Sequence, residues 1–240
     1  MKYTVDKVLV GIITVILPFI LLMGAIRLVM IPQFPTLEYQ RPGFPLDPYG
    51  FSMEERKEWA SYAVTYLTND EGIDYLQKLH FQDGSSLFNE SELEHMEDVK
   101  QVVKSSLTVW YALIGVSIGI VVWFLSMRSW KKFSGALRNG AWLTVGLIIA
   151  IVVMLAVNFD ALFDQFHRLF FSEGTWLFYA NDTLIRLFPL VFWRDAFLLV
   201  GVVTLIAAGL ILWLTHSRKA KKRSRAHDAQ SESLEISRIG

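Results

Sequence analysis

The sequence predicts an all-α polytopic membrane protein: four transmembrane helices with an extracellular cap domain and interfacial helices. Three observations support this fold class. Of the 240 residues, 53% are hydrophobic, and four segments have the length of about 20 apolar residues that crosses a bilayer. Basic residues are concentrated in some of the connections between these segments, and acidic residues in the others. The two acid-rich connections are too long to be simple turns, so we expect them to fold outside the membrane.

The four predicted transmembrane segments are residues 8–31, 105–127, 140–157 and 196–215. Gly and Pro occur inside them, which membrane helices tolerate better than soluble helices do. The first segment is interpreted as an uncleaved anchor rather than a secretory signal. Its apolar run continues beyond the small residues at Met23–Ala25 into Arg27, and a signal peptide would be shorter.

The distribution of Lys and Arg along the sequence predicts the orientation of the chain in the membrane. Residues 128–139 contain four basic residues and no acidic one, and the start of the tail, 216–240, is denser still in Lys and Arg. Residues 32–104 and 158–195 together contain nine basic and nineteen acidic residues. Since positively charged loops stay in the cytoplasm, the N-terminus (1–7), the 128–139 loop and the basic tail are expected to be cytoplasmic. The cap domain, 32–104, and the interfacial loop, 158–195, are then extracellular.

Local signals predict helices in the cap domain. Its first part, 32–52, holds five of the seven prolines in the chain and is therefore expected to be extended or rich in turns. Ser52 with Glu55 is a capping-box signal and predicts a helix over 53–68. A short helix and a turn at Asp83–Gly84 are expected to follow.

A further helix is predicted to begin near residue 90. Either Asn89 with Glu92 or Ser91 with Glu94 provides an N-cap residue and an acidic side chain three positions later. No helix-breaking residue separates this start from the second transmembrane segment. We therefore expect one uninterrupted helix.

The second extracellular loop is predicted to contain interfacial helices. Its phenylalanines recur at near-helical spacing, which indicates a helix that lies in the membrane interface; they are Phe159, Phe163, Phe166 and Phe170. Gly174 is expected to end this helix. A second interfacial segment, "TLIRLFPLVFW", is predicted to bend at Pro189.

Composition excludes several kinds of site. The chain has no Cys, which excludes disulfides, thiol nucleophiles and thiolate metal ligands. The sequence motifs of serine hydrolases, P-loop nucleotidases, zinc proteases and dinucleotide-binding enzymes are absent as well. The sequence therefore contains no motif for a nucleotide cofactor or a thiolate-bound metal, and its zero net charge gives no indication of a nucleic-acid partner.

Two histidines are the main candidates for chemistry. His95 lies between Glu92 and Asp98, one helical turn away on either side, and His167 follows Asp164 by three positions. Histidine exchanges protons near neutral pH, and a carboxylate bound to one ring nitrogen would orient the other. An interfacial histidine among acidic residues can equally be a solvated surface residue.

Arg27 and Arg186 are candidates for binding an anion. Both lie in strongly apolar surroundings, and a charge inside or beside the membrane is a functional candidate by default. Either guanidinium could contact a substrate phosphate or carboxylate, or a developing oxyanion. The alternative is that each side chain extends to the lipid headgroups.

Three strings resemble the bacterial integral membrane family of lipoprotein intramolecular transacylases, Lit: "FNESELEHMEDVK", "FHRLFF" and "NDTLIRLFPLVFW". The resemblance implies an acyltransferase whose partners are a diacylated bacterial lipoprotein and membrane lipid. Its reaction moves the sn-2 acyl chain of an S-diacylglyceryl cysteine to the α-amine of the same N-terminal cysteine, giving a lyso-form lipoprotein without a cofactor. The two catalytic histidines of the family match His95 and His167.

The resemblance also gives the two histidines complementary roles. One removes a proton from the amine as it attacks the ester, and the other protonates the departing glyceryl oxygen or stabilises the oxyanion. Sequence does not decide between them; His167 is our hypothesis for the base, because Asp164 could orient it. The site is expected at the outer surface of the membrane.

Two other functions remain open at this stage. The protein could be an outward-facing sensor or assembly factor without catalytic activity, in which case neither histidine would be required. It could also be a metal-dependent membrane hydrolase, since His and carboxylate side chains bind zinc. No close pair of histidines on one helix supports the hydrolase.

Overall fold

The structure, a computed structural model, describes residues 2–172 and 174–239, with side chains described for 3–172 and 174–216. The described chain is helical apart from turns and a single isolated bridge pair. In chain order its helices are α1 (Lys2–Val29), α2 (Gln33–Tyr39), α3 (Met53–Thr68), α4 (Asp74–Gln77), α5 (Glu90–Ser126), α6 (Trp130–Val157), α7 (Phe159–Phe170), α8 (Thr183–Leu187) and α9 (Leu190–Ile239).

Four of these helices, α1, α5, α6 and α9, are long and apolar enough to cross a membrane. Only 11% to 28% of the residues in their most apolar stretches are buried inside the protein. Apolar surface of this extent is stable only when lipid covers it. The prediction of an all-α membrane protein with four transmembrane helices is therefore confirmed.

The long helices extend beyond the apolar segments that the sequence marks. Helix α5 has 37 residues, or about 55 Å at 1.5 Å per residue, and its strongly apolar part begins only at Ser105. Helix α6 begins at Trp130 rather than at Gly140, which leaves only residues 127–129 as the turn after α5. In the predicted basic tail, the backbone continues α9 as far as Ile239, and the side chains of 217–240 lie outside the described residues.

Two compact units make up the chain, and each has its own core. The first comprises residues 22–112 and 149–203. Its core joins α3 to the segment around α8 through buried aromatic and aliphatic side chains, among them Tyr39, Tyr66 and Leu187. Arg56 on α3 is buried in this core and donates hydrogen bonds to the carbonyls of Pro45 and Arg186.

The predicted helix starts in this unit are confirmed. Ser52 and Glu55 form a complete capping box at the start of α3. At the start of α5, Asn89 and Glu92 cap each other reciprocally: the backbone N–H of each residue donates to the side chain of the other. Of the two alternatives left open by the sequence, the structure uses the Asn89 pair, and α5 then runs without a break into the membrane segment.

The proline-rich segment is only partly as expected. It contains turns, but it also contains α2, with Pro35 in its first turn, where a proline removes no intrahelical hydrogen bond. The predicted short helix is α4. The turn at Asp83–Gly84 is closed by the bridge between His80 and Ser86, with Gly84 at a φ of +85°.

The second unit comprises residues 1–21, 113–148 and 204–240. Asp6, fully buried on α1, accepts hydrogen bonds from the Lys132 ammonium at 2.5 Å and the Trp123 indole N–H at 3.1 Å. Helices α1 and α6 pack closely at Gly140, since a Cβ there would lie 2.9 Å from the Leu17 side chain. Such close approach through a small residue is a common way to pack membrane helices.

Candidate active site

Helix α7 carries His167 on a strongly amphipathic surface. Asn158 caps the helix by accepting a hydrogen bond from the Ala161 N–H at 3.0 Å. None of the α7 residues is buried in the protein, although phenylalanines repeat along the helix as the sequence predicts. A helix with this pattern and so little protein cover fits the membrane interface.

The chain then turns back toward His167. Helix α7 ends at Phe170, and Gly174 adopts a φ of +92° in the turn that follows, a conformation that favours glycine. Residues 174–176 form this turn, and residues 177–179 have no regular secondary structure. Trp176 is buried and Phe178 is half-buried, whereas the intervening Leu177 and the following Tyr179 are exposed.

Helix α5 carries His95 and is tied to the start of α8 by hydrogen bonds. The Glu92 carboxylate, which caps α5, also accepts from the backbone N–H of Leu184 at 2.6 Å. The Asn89 side chain donates to Asp182, and the Thr183 hydroxyl donates to the Leu87 carbonyl. These contacts fix the first turn of α5, and with it the position of His95.

The two histidines meet in an enclosure of aromatic rings. The imidazole centroids of His95 and His167 are 6.1 Å apart, and the ring planes are within 24° of parallel. Phe171 lies against both rings, at 5.0 Å from His95 and 5.7 Å from His167. Phe178 meets the edge of His95 at 5.4 Å, and Trp176 lies 4.9 Å from His167. Two side chains far apart in the chain thus share one small, largely apolar site.

The hydrogen bonds of the two imidazoles differ. His167 Nδ1 lies 2.7 Å from the Phe163 carbonyl oxygen. Because a carbonyl can only accept, Nδ1 carries the proton, and in the neutral ring Nε2 has a free lone pair. The Nδ1 atom of His95 is buried and has no hydrogen-bond partner among the described residues.

Burial keeps both histidines neutral. It lowers the pKa of His95 to about 4, with a smaller contribution from His167. The pKa of His167 is also lowered by burial, against the opposing effects of the Phe163 hydrogen bond and the Asp164 charge. Glu92 and His95 precede the apolar part of α5, and burial raises the pKa of Glu92 to about 7. Near pH 7 the site therefore contains two neutral imidazoles.

Asp164, which was expected to orient His167, contacts Arg168 in the structure. The Asp164 carboxylate accepts a hydrogen bond from Arg168 Nε at 2.8 Å, and the ring nitrogen of His167 is held by the backbone of Phe163 instead. Both arrangements fit the helical spacing of the sequence. A carboxylate pairs more strongly with a guanidinium than with a neutral imidazole, which explains the difference.

Glu92 and Asp98 do not orient His95 either. Glu92 is buried, and its two oxygens accept backbone N–H groups at the starts of α5 and α8. Asp98 is exposed on α5. Within the described residues neither carboxylate bonds to Nδ1 of His95. Glu92 contributes to the site by positioning α5.

The two candidate arginines are occupied by structural contacts. Arg27 donates from Nη1 to the Met30 carbonyl at 2.9 Å, so it caps the end of α1. Arg186 forms a buried ion pair with Asp47, with Nη2 at 2.9 Å from Oδ2, and stacks over the ring of Phe51 at 3.3 Å. The Arg186 guanidinium is therefore engaged by Asp47, whereas Arg27 uses one of its five N–H donors at the end of α1.

The aromatic enclosure was not predicted. The alternation of Trp176, Leu177, Phe178 and Tyr179 is visible in the sequence, but nothing in it indicates that one face of this segment meets both histidines. For a metal site, the described residues contain no group of three or more His, Asp or Glu side chains that could hold an ion. No arrangement in this part of the chain favours the metal-dependent alternative.

Comparison with known proteins agrees with this architecture. The family model described as lipoprotein intramolecular transacylase Lit matches residues 11–193. An uncharacterized protein of Aquifex aeolicus is 28% identical over 207 residues, which cover 86% of this chain and 93% of that protein.

Solved structures extend the comparison to the fold. The in meso structure of the membrane integral lipoprotein intramolecular transacylase Lit from Bacillus cereus superposes with a TM-score of 0.78 at 24% identity, covering 92% of this chain and 99% of that one. A variant of the same protein with one histidine replaced by alanine superposes with a TM-score of 0.73 at 22% identity, covering 93% and 97%. The family match over most of the length shows that this membrane-integral chain belongs to the Lit family of lipoprotein intramolecular transacylases, which are acyltransferases.

Proposed function

We propose that this transacylase moves the sn-2 acyl chain of an S-diacylglyceryl cysteine to the α-amine of the same cysteine, with His95 and His167 as its catalytic residues. The observation that carries the proposal is the convergence of the two imidazoles at 6.1 Å within one aromatic enclosure. Both reacting groups belong to one lipidated residue. The enzyme therefore has to orient them and transfer protons, and it needs no nucleophile of its own.

His167 is the general base in this proposal. Its Nδ1–H donates to the Phe163 carbonyl, so Nε2 has its lone pair available for the amine. The lowered pKa of His167 keeps that lone pair unprotonated near neutral pH. The support for His167 as base is thus the backbone carbonyl of Phe163, in place of the carboxylate of Asp164.

His95 completes the proton transfer. As the amine nitrogen forms its bond to the sn-2 carbonyl carbon, His167 takes the amine proton. When the bond from that carbon to the glyceryl oxygen breaks, His95 gives its ring proton to the oxygen. The proton that His167 took from the amine then passes to the other ring nitrogen of His95, so that both rings end the reaction neutral. In sum, one proton moves from the amine to the glyceryl hydroxyl, one ester is lost, and one amide is formed.

The aromatic side chains exclude water from this reaction. Phe171, Trp176 and Phe178 border the imidazoles, so water has little access to the ester. Exclusion matters because water would compete with the amine for the same carbonyl. The substrate is a diacylated bacterial lipoprotein whose acyl chains stay in the lipid.

The test is an assay of purified protein with a diacylglyceryl lipopeptide that has a free N-terminal amine. Intramolecular transfer conserves mass, so the product is identified by an acyl chain that survives mild alkali and by tandem fragmentation. Replacing His95 or His167 with Ala should lower the rate by about 10²–10⁴-fold. His80→Ala is the matched control, because His80 is exposed and its ring binds only the nearby Lys78 carbonyl.

Asp164→Ala should also leave the rate unchanged, since Asp164 pairs with Arg168. Wild-type rates in both His95→Ala and His167→Ala would refute the proposed roles. That result would favour the alternative of a sensor or assembly factor, in which the histidines have no catalytic role.

A further inference from the structure

Trp176 has an indole N–H that the protein leaves without a partner. The side chain is 9% exposed, and its Nε1 is buried with no hydrogen bond to any described residue. A buried donor without an acceptor destabilises a fold. A donor of this kind in a native protein calls for an explanation, such as a ligand that supplies the acceptor.

The unpartnered N–H lies beside the histidine pair. The indole and the His167 imidazole are 4.9 Å apart between centroids and tilted by 32°. Phe178, two residues after Trp176 in the chain, contacts the ring of His95. An acceptor on a substrate bound at the two imidazoles would therefore be near the indole.

The reaction needs a donor that the histidines do not provide. Attack on the ester places a negative charge on the carbonyl oxygen, and preorganised donors lower the barrier by stabilising it. His167 and His95 are occupied by proton transfer. An indole N–H can only donate and does not exchange its proton with the substrate, which suits a group that stabilises an oxyanion without neutralising it.

We propose that Trp176 is a further catalytic residue, whose Nε1–H donates a hydrogen bond to the sn-2 carbonyl oxygen as that oxygen becomes an oxyanion. This inference rests on the transacylase reaction proposed above. It assigns three polar groups to three tasks: His167 takes the amine proton, His95 protonates the glyceryl oxygen, and Trp176 stabilises the charge between these steps.

The experiment compares Trp176 with Trp59, because both have a buried indole N–H without a hydrogen-bond partner among the described residues. Trp59, in the core of the cap, also has a buried Nε1 without a hydrogen bond, but it does not contact either histidine ring. Trp176→Phe should lower kcat by about 10²–10³-fold with little change in KM, whereas Trp59→Phe should leave kcat unchanged. The Tm of both variants is measured to compare the structural cost of each replacement.

A second variant separates the N–H from the volume of the ring. Benzothienylalanine at position 176 keeps the bicyclic shape and has sulfur in place of the N–H. It should reproduce the loss of kcat even if Trp176→Phe is also less stable. A lipopeptide with a phosphonate at the sn-2 position imitates the oxyanion, so it should bind wild type more tightly than it binds either variant at position 176.

The outcomes distinguish this inference from the proposed function. If wild type is active and benzothienylalanine at 176 retains both kcat and affinity for the phosphonate, Trp176 is not the oxyanion donor and the histidine mechanism still stands. If wild type forms no alkali-stable chain, the transacylation itself fails, and the role of Trp176 fails with it.

Discussion

The two imidazoles of the site are both neutral near pH 7, but their ring nitrogens are in different states. The tautomer of His167 is fixed by the Phe163 carbonyl, whereas His95 has a buried Nδ1 without a partner among the described residues. A fixed tautomer suits a base that must be ready before the substrate arrives. A ring whose Nδ1 is not held by the protein suits a group that donates and accepts within one turnover.

The pKa values predict how the rate depends on pH. Burial lowers the pKa of His95 to about 4 and also lowers that of His167, so both are in the basic form at pH 7 and lose it only as the pH falls. The substrate amine, whose pKa in a free peptide is near 8, is then the group that must lose a proton. We expect kcat/KM to rise from pH 6 and to level off near the pKa of the amine.

A substrate analogue tests whether the substrate amine is the group whose loss of a proton raises kcat/KM. A lipopeptide whose amine is about tenfold more acidic should move the midpoint of the rise down by about one pH unit. Glu92, with a pKa raised to about 7, titrates in the same range, but its midpoint would not follow the substrate. A midpoint that stays fixed with both substrates would contradict the assignment.

Single residues also show how much of the candidate site could be predicted from the sequence. The histidines were identified from their chemistry and from the family resemblance, and the structure brings them together. Their supposed carboxylate partners were not identified correctly. Helical spacing allows Asp164 to reach either His167 or Arg168, and only the relative strength of the two contacts decides in favour of Arg168.

Among the elements, the helices follow from the sequence, whereas the position of the irregular segment 176–179 does not. Capping residues and apolar periodicity locate α3, α5 and α7 closely, because the signals for these helices are local. The segment 176–179 has no local signal of its own. Its position depends on the turn after α7, on the local hydrogen bond from the Tyr179 N–H to Asp182, and on the bond between Leu184 and Glu92, which are distant in sequence.

Gly174 therefore has a testable role in positioning that segment. At a φ of +92°, an alanine is strained by about 1–2 kcal/mol, although no atom lies within 4 Å of where its Cβ would be. A small shift of Trp176 and Phe178 should follow. We expect Gly174→Ala to lower kcat by about tenfold or more, because catalysis is sensitive to displacements of an ångström.

Gly84→Ala is the matched control for this prediction. Gly84 has a φ of +85°, also with no atom within 4 Å of the position that a Cβ would take, and it lies in the His80–Ser86 turn. Both variants should show a similar decrease in Tm, measured by thermal unfolding in the same detergent. Only Gly174→Ala should have a lowered kcat. Equal kcat values in the two variants would show that the turn after α7 does not position the site.

For the whole molecule, the distribution of apolar and charged surface determines what the chain can do. Most of the apolar surface of the four long helices is not covered by protein, so lipid must cover it. In the proposed reaction, the ester belongs to a lipid that stays in the bilayer, while the amine belongs to a polar peptide. A site on the polar extension of α5, next to the amphipathic α7, can contact both parts of such a substrate.

The orientation of the molecule is the last prediction. We propose that the site faces outward, because the acid-rich segments 32–104 and 158–195 contrast with the basic residues of 128–139. The chain has no Cys, so a single introduced cysteine is the only thiol. Gln82 and Lys131, which are both exposed, are suitable positions, one in each kind of segment.

In intact spheroplasts, a membrane-impermeant maleimide should label Gln82→Cys and leave Lys131→Cys unlabelled. Both variants should react after detergent lysis, which controls for access to each thiol, and both should retain transacylase activity, which shows that they are folded. If only Lys131→Cys were labelled in intact spheroplasts, the orientation of the protein in the membrane would be the opposite of the one proposed. The histidines would then face the cytoplasm, where they could not act on a lipoprotein anchored in the outer leaflet.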